Sequence, residues 1–336
     1  MINDFKPNVL LCTYYDRKII AEQIERLRDF AKVIDCGRGR CLTKEEVFEV
    51  ILGSHAIIAA DEKYDTEVLD RAKDLLIIAR DGTGYDSIDL KAATDRGILV
   101  TRAPVVHHCT ANMVIGLMIA LVRKIVLCDR GVRQNLWTDR QRWLCPDLSG
   151  MTLGILGFGQ VGKEVAKRAL AMDMKILVYN RSNISDAVRQ FGVKISSLDE
   201  VLANSDVISV HIRHSKETMN MFNSKMFAKM KKGSYFLNAS RGGIVDEKAL
   251  IEALASGHLA GAGLDVFAQE PTLPDNPLLN FDNVLCTPHV AGDTSTTMVK
   301  AIEMNLNQIA DCLTGKKPDN LLNPEVWEKA RIHNIK

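Results

Sequence analysis

The run Gly157-Phe158-Gly159-Gln160-Val161-Gly162 narrows the possible folds more than any other part of the chain. A Gly-x-Gly-x-x-Gly pattern alone is a weak signal. Here it follows the strand-like Leu153-Gly154-Ile155-Leu156 and opens a helix-like stretch from Lys163 to Ala171. In such a strand–turn–helix unit Gly157 permits the tight turn, Gly159 lets backbone approach a pyrophosphate, and Gly162 lets helix pack on strand. Backbone N–H groups at the helix start then bind the phosphates. The turn therefore predicts an α/β dinucleotide-binding unit; glycines of an ordinary turn are the plainer reading.

Around this turn, short β-branched runs alternate with amphipathic stretches, the pattern of parallel strands joined by crossover helices. A first series places strands near Val9–Cys12, Ala56–Ala60, Leu75–Ala79 and Ile98–Thr101. A second places them at Thr152–Leu156, Lys175–Tyr179, Val207–Val210, Tyr235–Leu237, Gly261–Asp265 and Val284–Cys286. Those six strands make a full dinucleotide-binding sheet. Met113–Val122 is apolar but too short to span a bilayer, and reads as a buried helix linking two domains. Thr294–Leu313 has helical periodicity and is expected to return to the first domain. The expected architecture is α/β, with two Rossmann-like doubly wound parallel-sheet domains and a cleft between them. The expected boundaries give residues 1–104 plus 294–336 to one domain and residues 105–293 to the dinucleotide-binding domain.

Composition removes several alternatives. The 336 residues carry a formal net charge of +1, which supports neither nucleic acid nor an anionic membrane as the main partner. The start, Met1 to Cys12, contains Asp4 and Pro7 and lacks the basic-then-apolar plan of a secretory signal, so a cytoplasmic location is expected. Eight scattered cysteines without a Cys-x-x-Cys pair read as reduced thiols, mostly small core residues. Cys36 and Cys41 lack two further ligands at metal-site spacing, and no metal site is expected. Adjacent His107 and His108 point apart on a helix or strand, and read as a loop or helix start.

After the strand Lys175–Tyr179 the chain reads Asn180-Arg181-Ser182, where an NAD-binding unit usually presents a carboxylate to the ribose. Asn180 removes repulsion toward a 2′-phosphate, and the Arg181 guanidinium matches that phosphate in a fork geometry. This favours NADP over NAD. In the alternative reading Asn180 still bonds a ribose hydroxyl, while Arg181 covers the adenine or faces solvent.

Three further residues follow predicted strands of the second sheet. Arg241 lies in Asn238-Ala239-Ser240-Arg241-Gly242-Gly243, Glu270 in Asp265-Val266-Phe267-Ala268-Gln269-Glu270-Pro271, and His289 in Thr287-Pro288-His289-Val290-Ala291-Gly292. Singly, each is an ordinary loop residue. Together, at the carboxyl edge where such sheets bind ligands, they suit reduction of a 2-oxo acid. Hydride arrival puts negative charge on the carbonyl oxygen, which a proton donor and a fixed cation stabilise. His289 is the donor, since imidazole titrates near neutral pH. Glu270 orients the ring and favours its protonated form; Arg241 holds the carboxylate and polarises the carbonyl.

These motifs, with Arg80-Asp81-Gly82-Thr83-Gly84-Tyr85-Asp86-Ser87-Ile88-Asp89 upstream, occur in order over nearly the whole chain. In this the sequence resembles the D-isomer-specific 2-hydroxyacid dehydrogenases. The resemblance implies that Arg241, Glu270 and His289 are catalytic, and that the backbone of Gly82-Thr83-Gly84 holds the substrate carboxylate, which small residues permit. It places Gln160-Val161 at the pyrophosphate, Asp265 at the nicotinamide carboxamide, and Ala239, Ser240 and Gly292 on the cofactor side. It also implies that the domain of residues 1–104 plus 294–336 is a flavodoxin-like substrate domain, that the domain of residues 105–293 is inserted in it for the cofactor, and that the protein is a homodimer joined through the cofactor domain.

Departures from the family pattern bear on the cofactor. Where members often read His-x-Pro near the adenine, this chain has His211-Ile212-Arg213-His214. Arg213 or His214 either adds positive charge to a 2′-phosphate pocket or faces solvent. Thr110-Ala111-Asn112 lacks the acidic residue common at the start of the linking helix. Tyr14 and Tyr15, after the first strand, are expected on a rim of the substrate cleft, where they either pack or bond a substrate tail, and Arg80 and Arg102 read as solvated surface residues. Glyoxylate or hydroxypyruvate is the favoured acid. Two other classes stay open: a dinucleotide-sensing regulator of the corepressor type, and a formate dehydrogenase.

Overall fold

The computed structural model describes residues 6–138, 140–182, 184, 188 and 191–334. The chain divides into two compact units: unit 1 is Met1–Val106 with Asp293–Lys336, and unit 2 is His107–Gly292. Both are built on parallel sheets with helices between the strands.

In unit 1 the strands are β1 (Asn8–Leu11), β2 (Lys32–Asp35), β3 (Ala56–Ala59), β4 (Ile77–Arg80) and β5 (Leu99–Arg102), in spatial order β2-β1-β3-β4-β5. Helices α1 (Ala21–Phe30), α2 (Lys44–Val50), α3 (Thr66–Arg71) and α4 (Leu90–Asp95) connect them. The Ala-Ile-Ile-Ala run of β3 is wholly buried because apolar clusters cover both faces of the sheet. β2 has no counterpart in the strands expected from sequence. It is an edge strand with exposed Lys32 and Asp35, and its polar ends hide the apolar pair between them.

Unit 2 opens with α5 (His107–Val122) and α6 (Ile125–Arg133). It continues through β6 (Thr152–Leu156), α7 (Gln160–Leu170), β7 (Lys175–Tyr179), β8 (Lys194–Ile195), α8 (Leu198–Asn204) and β9 (Val207–Val210). Then come α9 (Ser224–Lys229), β10 (Ser234–Asn238), α10 (Glu247–Ala255), β11 (Leu259–Leu264) and β12 (Val284–Cys286). The seven strands lie in the order β12-β11-β10-β9-β6-β7-β8. The six expected strands are all present; β8 adds a seventh, two exposed residues at an edge, too short to give a periodic signal. Alternate residues of β6 divide between two clusters, Leu153 and Ile155 with α5 and α7, Leu156 with the α8–α10 side. Helices therefore pack on both faces, as in a doubly wound sheet.

Two helix starts differ from the expectations, and the final helix returns to unit 1 as expected. α5 begins at His107, six residues before the apolar run, because its first turn is polar. The helix lies within unit 2, with Val114, Leu117, Met118 and Leu121 buried in its core. α7 begins at Gln160, so Gln160 and Val161 form its first turn. The final helix α11 (Ser295–Leu313) belongs to unit 1, where Ile302, Leu306 and Ile309 pack with Val9, Leu11 and Ile77. Among the described residues no single helix is long and apolar enough to cross a membrane.

Candidate active site

Both halves of the predicted site in unit 2 sit at the carboxyl ends of strands. The glycine turn follows β6, Asn180 follows β7 and His211 follows β9; Arg241, Glu270 and His289 follow β10, β11 and β12, three neighbouring strands. One sheet edge thus gathers the two groups of residues.

The turn after β6 has the stereochemistry its sequence requires. Gly157 has φ +94°, and a Cβ there would lie 2.5 Å from the His211 carbonyl oxygen, so no other residue fits. Gly159 caps α7 without a side chain, and the space its Cβ would fill is empty. That leaves room beside the N–H groups of Gln160 and Val161 for a phosphate, and the helix is long enough for its dipole to favour one. These residues fit a dinucleotide. Gly162 packs against the Gly157 carbonyl.

Asn180 braces this turn. Its Oδ1 accepts the Phe158 N–H at 3.0 Å, and its Nδ2 donates to the Ser182 carbonyl and Oγ at 3.0 and 2.9 Å. Both ends of the amide are engaged within the chain, while Arg181 stays exposed. His211 Nε2 and the Ser209 hydroxyl share a hydrogen bond at 2.8 Å, and burial pushes the imidazole down to about 4. Arg213 is exposed. The His214 ring packs on Gly243.

At the other end of the edge, Glu270 Oε2 meets His289 Nδ1 at 2.6 Å. Glu270 Oε1 accepts the Phe267 N–H at 2.8 Å, which fixes the carboxylate plane. Burial alone would raise this carboxyl. The His289 hydrogen bond and charge, the Phe267 N–H and the nearby Arg241 cation outweigh it and hold Glu270 below its usual range. Arg241 lies within electrostatic reach of Glu270, and its Nη1 donates to the Ser240 carbonyl at 2.8 Å. A Cβ on Gly242 would fall 1.8 Å from the Phe267 carbonyl oxygen. Only a glycine lets the Arg241 loop close on the loop that carries Glu270.

Two residues hold the loops in place. Asp265, fully buried, accepts the Thr287 hydroxyl and Val290 N–H on Oδ1, at 2.5 and 3.0 Å, and the Ala291 N–H on Oδ2 at 2.9 Å. Its carbonyl takes the His289 N–H at 2.8 Å. Four bonds from one residue hold His289 at φ +55°, a left-handed conformation uncommon outside glycine. Asn238 does the same for the Arg241 loop: its Oδ1 accepts the Ser240 N–H and hydroxyl at 3.0 and 2.7 Å, and its Nδ2 donates to the Arg241 carbonyl at 2.9 Å. Sequence reasoning missed Asn238, although an Asn at a strand end before a turn is a signal for this kind of bracing. Ala239 lies between the braced residues, and Gly292 accepts the Cys109 thiol at 3.2 Å.

In unit 1, Gly82, Thr83 and Gly84 follow β4, with Gly82 at φ +137° and its carbonyl accepting the Ala103 N–H at 3.0 Å. Arg80 is not the solvated residue expected. It is 7% exposed, donates to the Asp81 carbonyl and pairs with Asp61, because the end of a central strand leaves its side chain no route to water. Tyr15 hydrogen-bonds to Asp81, whose carboxyl burial pushes up to about 6.

Known proteins resemble this chain in sequence and in fold. Residues 115–291 match the family model described as the D-isomer specific 2-hydroxyacid dehydrogenase NAD binding domain. The chain is 40% identical to the D-3-phosphoglycerate dehydrogenase of Archaeoglobus fulgidus over 91% of its own length, but spans only 58% of that protein. It is 38% identical to the glyoxylate reductase of Korarchaeum cryptofilum over 84% of this chain and 87% of that one. A solved glyoxylate reductase from Paecilomyes thermophila superposes with a TM-score of 0.84 at 31% identity, covering 95% of this chain and 99% of that one. The chain belongs to the D-isomer specific 2-hydroxyacid dehydrogenase family.

Proposed function

We propose that this chain reduces a small 2-oxo acid, glyoxylate or hydroxypyruvate, to the D-2-hydroxy acid with NADPH. The observation that carries the reading is the His289–Glu270 pair at 2.6 Å, with the Arg241 loop locked beside it. A bound nicotinamide cofactor supplies the hydride. His289, oriented through Nδ1 by Glu270, presents Nε2 as the proton donor to the carbonyl oxygen and takes the proton back in the reverse direction. Arg241 holds the substrate carboxylate and stabilises the charge that develops on the oxygen. In unit 1 the Gly82-Thr83-Gly84 backbone is assigned to that carboxylate through the likeness of its motif.

Arg181 and Ser182 are assigned to the 2′-phosphate. Asn180, its amide committed to the turn, supports them by holding Ser182 and by placing no carboxylate there. The exposed apolar side chains Ile125, Val132, Trp137 and Leu144 near α6 fit a homodimer joined through unit 2. Free thiols suit a reducing compartment, and the cytoplasm is the proposed location.

The test is oxidation of NADPH and NADH with glyoxylate, hydroxypyruvate, pyruvate, branched 2-oxo acids and 3-phosphohydroxypyruvate. The reading expects turnover with the first two and a lower KM for NADPH. Equal turnover with both cofactors at matched low concentration removes the NADPH assignment. Absence of turnover with every acid removes the enzyme reading.

A further inference from the structure

Three of the eight cysteines, Cys12, Cys36 and Cys41, gather at the carboxyl edge of the unit 1 sheet around Glu62, apart from the residues assigned to catalysis. β1 and β2 pair in parallel with Leu11 opposite Asp35, and the Cys36 N–H donates to the Leu11 carbonyl at 3.0 Å. The next facing pair is therefore Cys12 and Cys36. Both side chains enter the same apolar cluster, beside Leu10, Leu42 and Tyr64. Facing residues on neighbouring strands lie about 4.8 Å apart, inside the Cα separation of about 4.4–6.8 Å that a disulfide accepts.

The Cys36 thiol donates to the Ile34 carbonyl at 3.5 Å. The neighbouring Cys12 thiol holds Cys36 below its ordinary range, and Cys36 together with burial holds Cys12 above it. Burial and the Asp35 and Glu62 carboxylates oppose the effect at Cys36, and the Arg17 guanidinium assists it. Cys36 is the more accessible of the pair, 8% exposed against 1%, and directly precedes the exposed turn Gly37–Arg40. Glu62 is 1% exposed; its Oε2 accepts the Ala60 N–H at 2.9 Å while its Oε1 has no partner. Burial pushes this carboxyl up to about 7, the range in which it exchanges a proton at neutral pH.

We propose that Cys12 and Cys36 form a hydroperoxide-reactive dithiol that closes to an intramolecular disulfide. Cys36 Sγ attacks the peroxide, forming an S–O bond as the O–O bond breaks, and the departing hydroxide takes the Cys36 proton to leave as water. Glu62 Oε1 then accepts the Cys12 proton. Cys12 Sγ attacks Cys36 Sγ, an S–S bond forms, the S–O bond breaks, and the leaving hydroxide collects the proton from Glu62 as a second water. Two thiols lose two electrons and two protons, and one hydrogen peroxide is reduced to two waters.

The full chain, reduced and desalted, is exposed to hydrogen peroxide, then alkylated in denaturant and mapped as peptides without reduction. The expected result is the loss of two alkylatable thiols in one step, a cross-linked peptide pair containing Cys12 and Cys36, and full recovery with dithiothreitol. Cys36→Ser should keep Cys12 alkylatable, Cys41→Ser should leave the cross-link intact, and Glu62→Gln should slow its formation. Free Cys12 and Cys36 after the exposed Cys286 has been oxidised would overturn the proposal, as would a cross-link from Cys36 to Cys41.

Discussion

At the scale of single residues, Glu270 and His289 act as one unit, since one carboxylate oxygen is aimed at the ring and the other is tied to backbone. His289→Ala removes the proton donor and is expected to lower kcat by about 10²–10⁴-fold, with cofactor affinity unchanged in a fluorescence titration. Glu270→Gln keeps the shape and removes the charge that favours the protonated ring. The alkaline limb of the pH–rate profile for reduction should therefore move to lower pH. An unmoved limb would detach Glu270 from the proton transfer. Arg181→Ala is expected to lose a charge-assisted bond of about 1.5 kcal/mol, read as a rise of about tenfold in KM for NADPH, with KM for NADH little altered. The triplet was legible because each residue follows a strand of one sheet. The engaged amide of Asn180 was not, because its partner Phe158 lies 22 residues away in sequence.

At the scale of elements, the site is a set of loops held shut by groups that do no chemistry. Asp265→Asn replaces an acceptor by a donor facing backbone N–H groups, and is expected to cost about 1–3 kcal/mol, visible as a lower thermal midpoint together with a lower kcat. A variant equally stable and active would show that the 287–291 loop is held by other means. Gly242→Ala drives a Cβ into the Phe267 carbonyl and should separate Arg241 from Glu270, so kcat/KM falls even where folded protein is recovered. The strands read well from sequence where they are buried on both faces, as in β3 and β6. β2 and β8 escaped because an edge strand needs no apolar alternation. For His107 and His108, a loop and a helix start stayed open because two polar residues carry no helical period; the structure makes His107 the start of α5.

At the scale of the molecule, unit 1 carries a pH-dependent cost. Burial raises folded Glu62 to about 7, above its ordinary 4.5, so the folded state binds this proton more tightly than the unfolded chain. That contribution to stability is complete below the unfolded value and is lost as pH rises through the folded one. Glu62→Gln, uncharged throughout, should therefore gain thermal midpoint relative to the parent between pH 4.5 and 7. A constant difference across that window would refute the assignment. The account as a whole rests on hydride transfer that needs His289 as proton donor. The most direct measurement is the steady-state rate of NADPH oxidation with hydroxypyruvate, parent against His289→Ala, at saturating cofactor. The account predicts turnover in the parent and a fall of at least about 10²-fold in the variant. A variant as fast as the parent would contradict it.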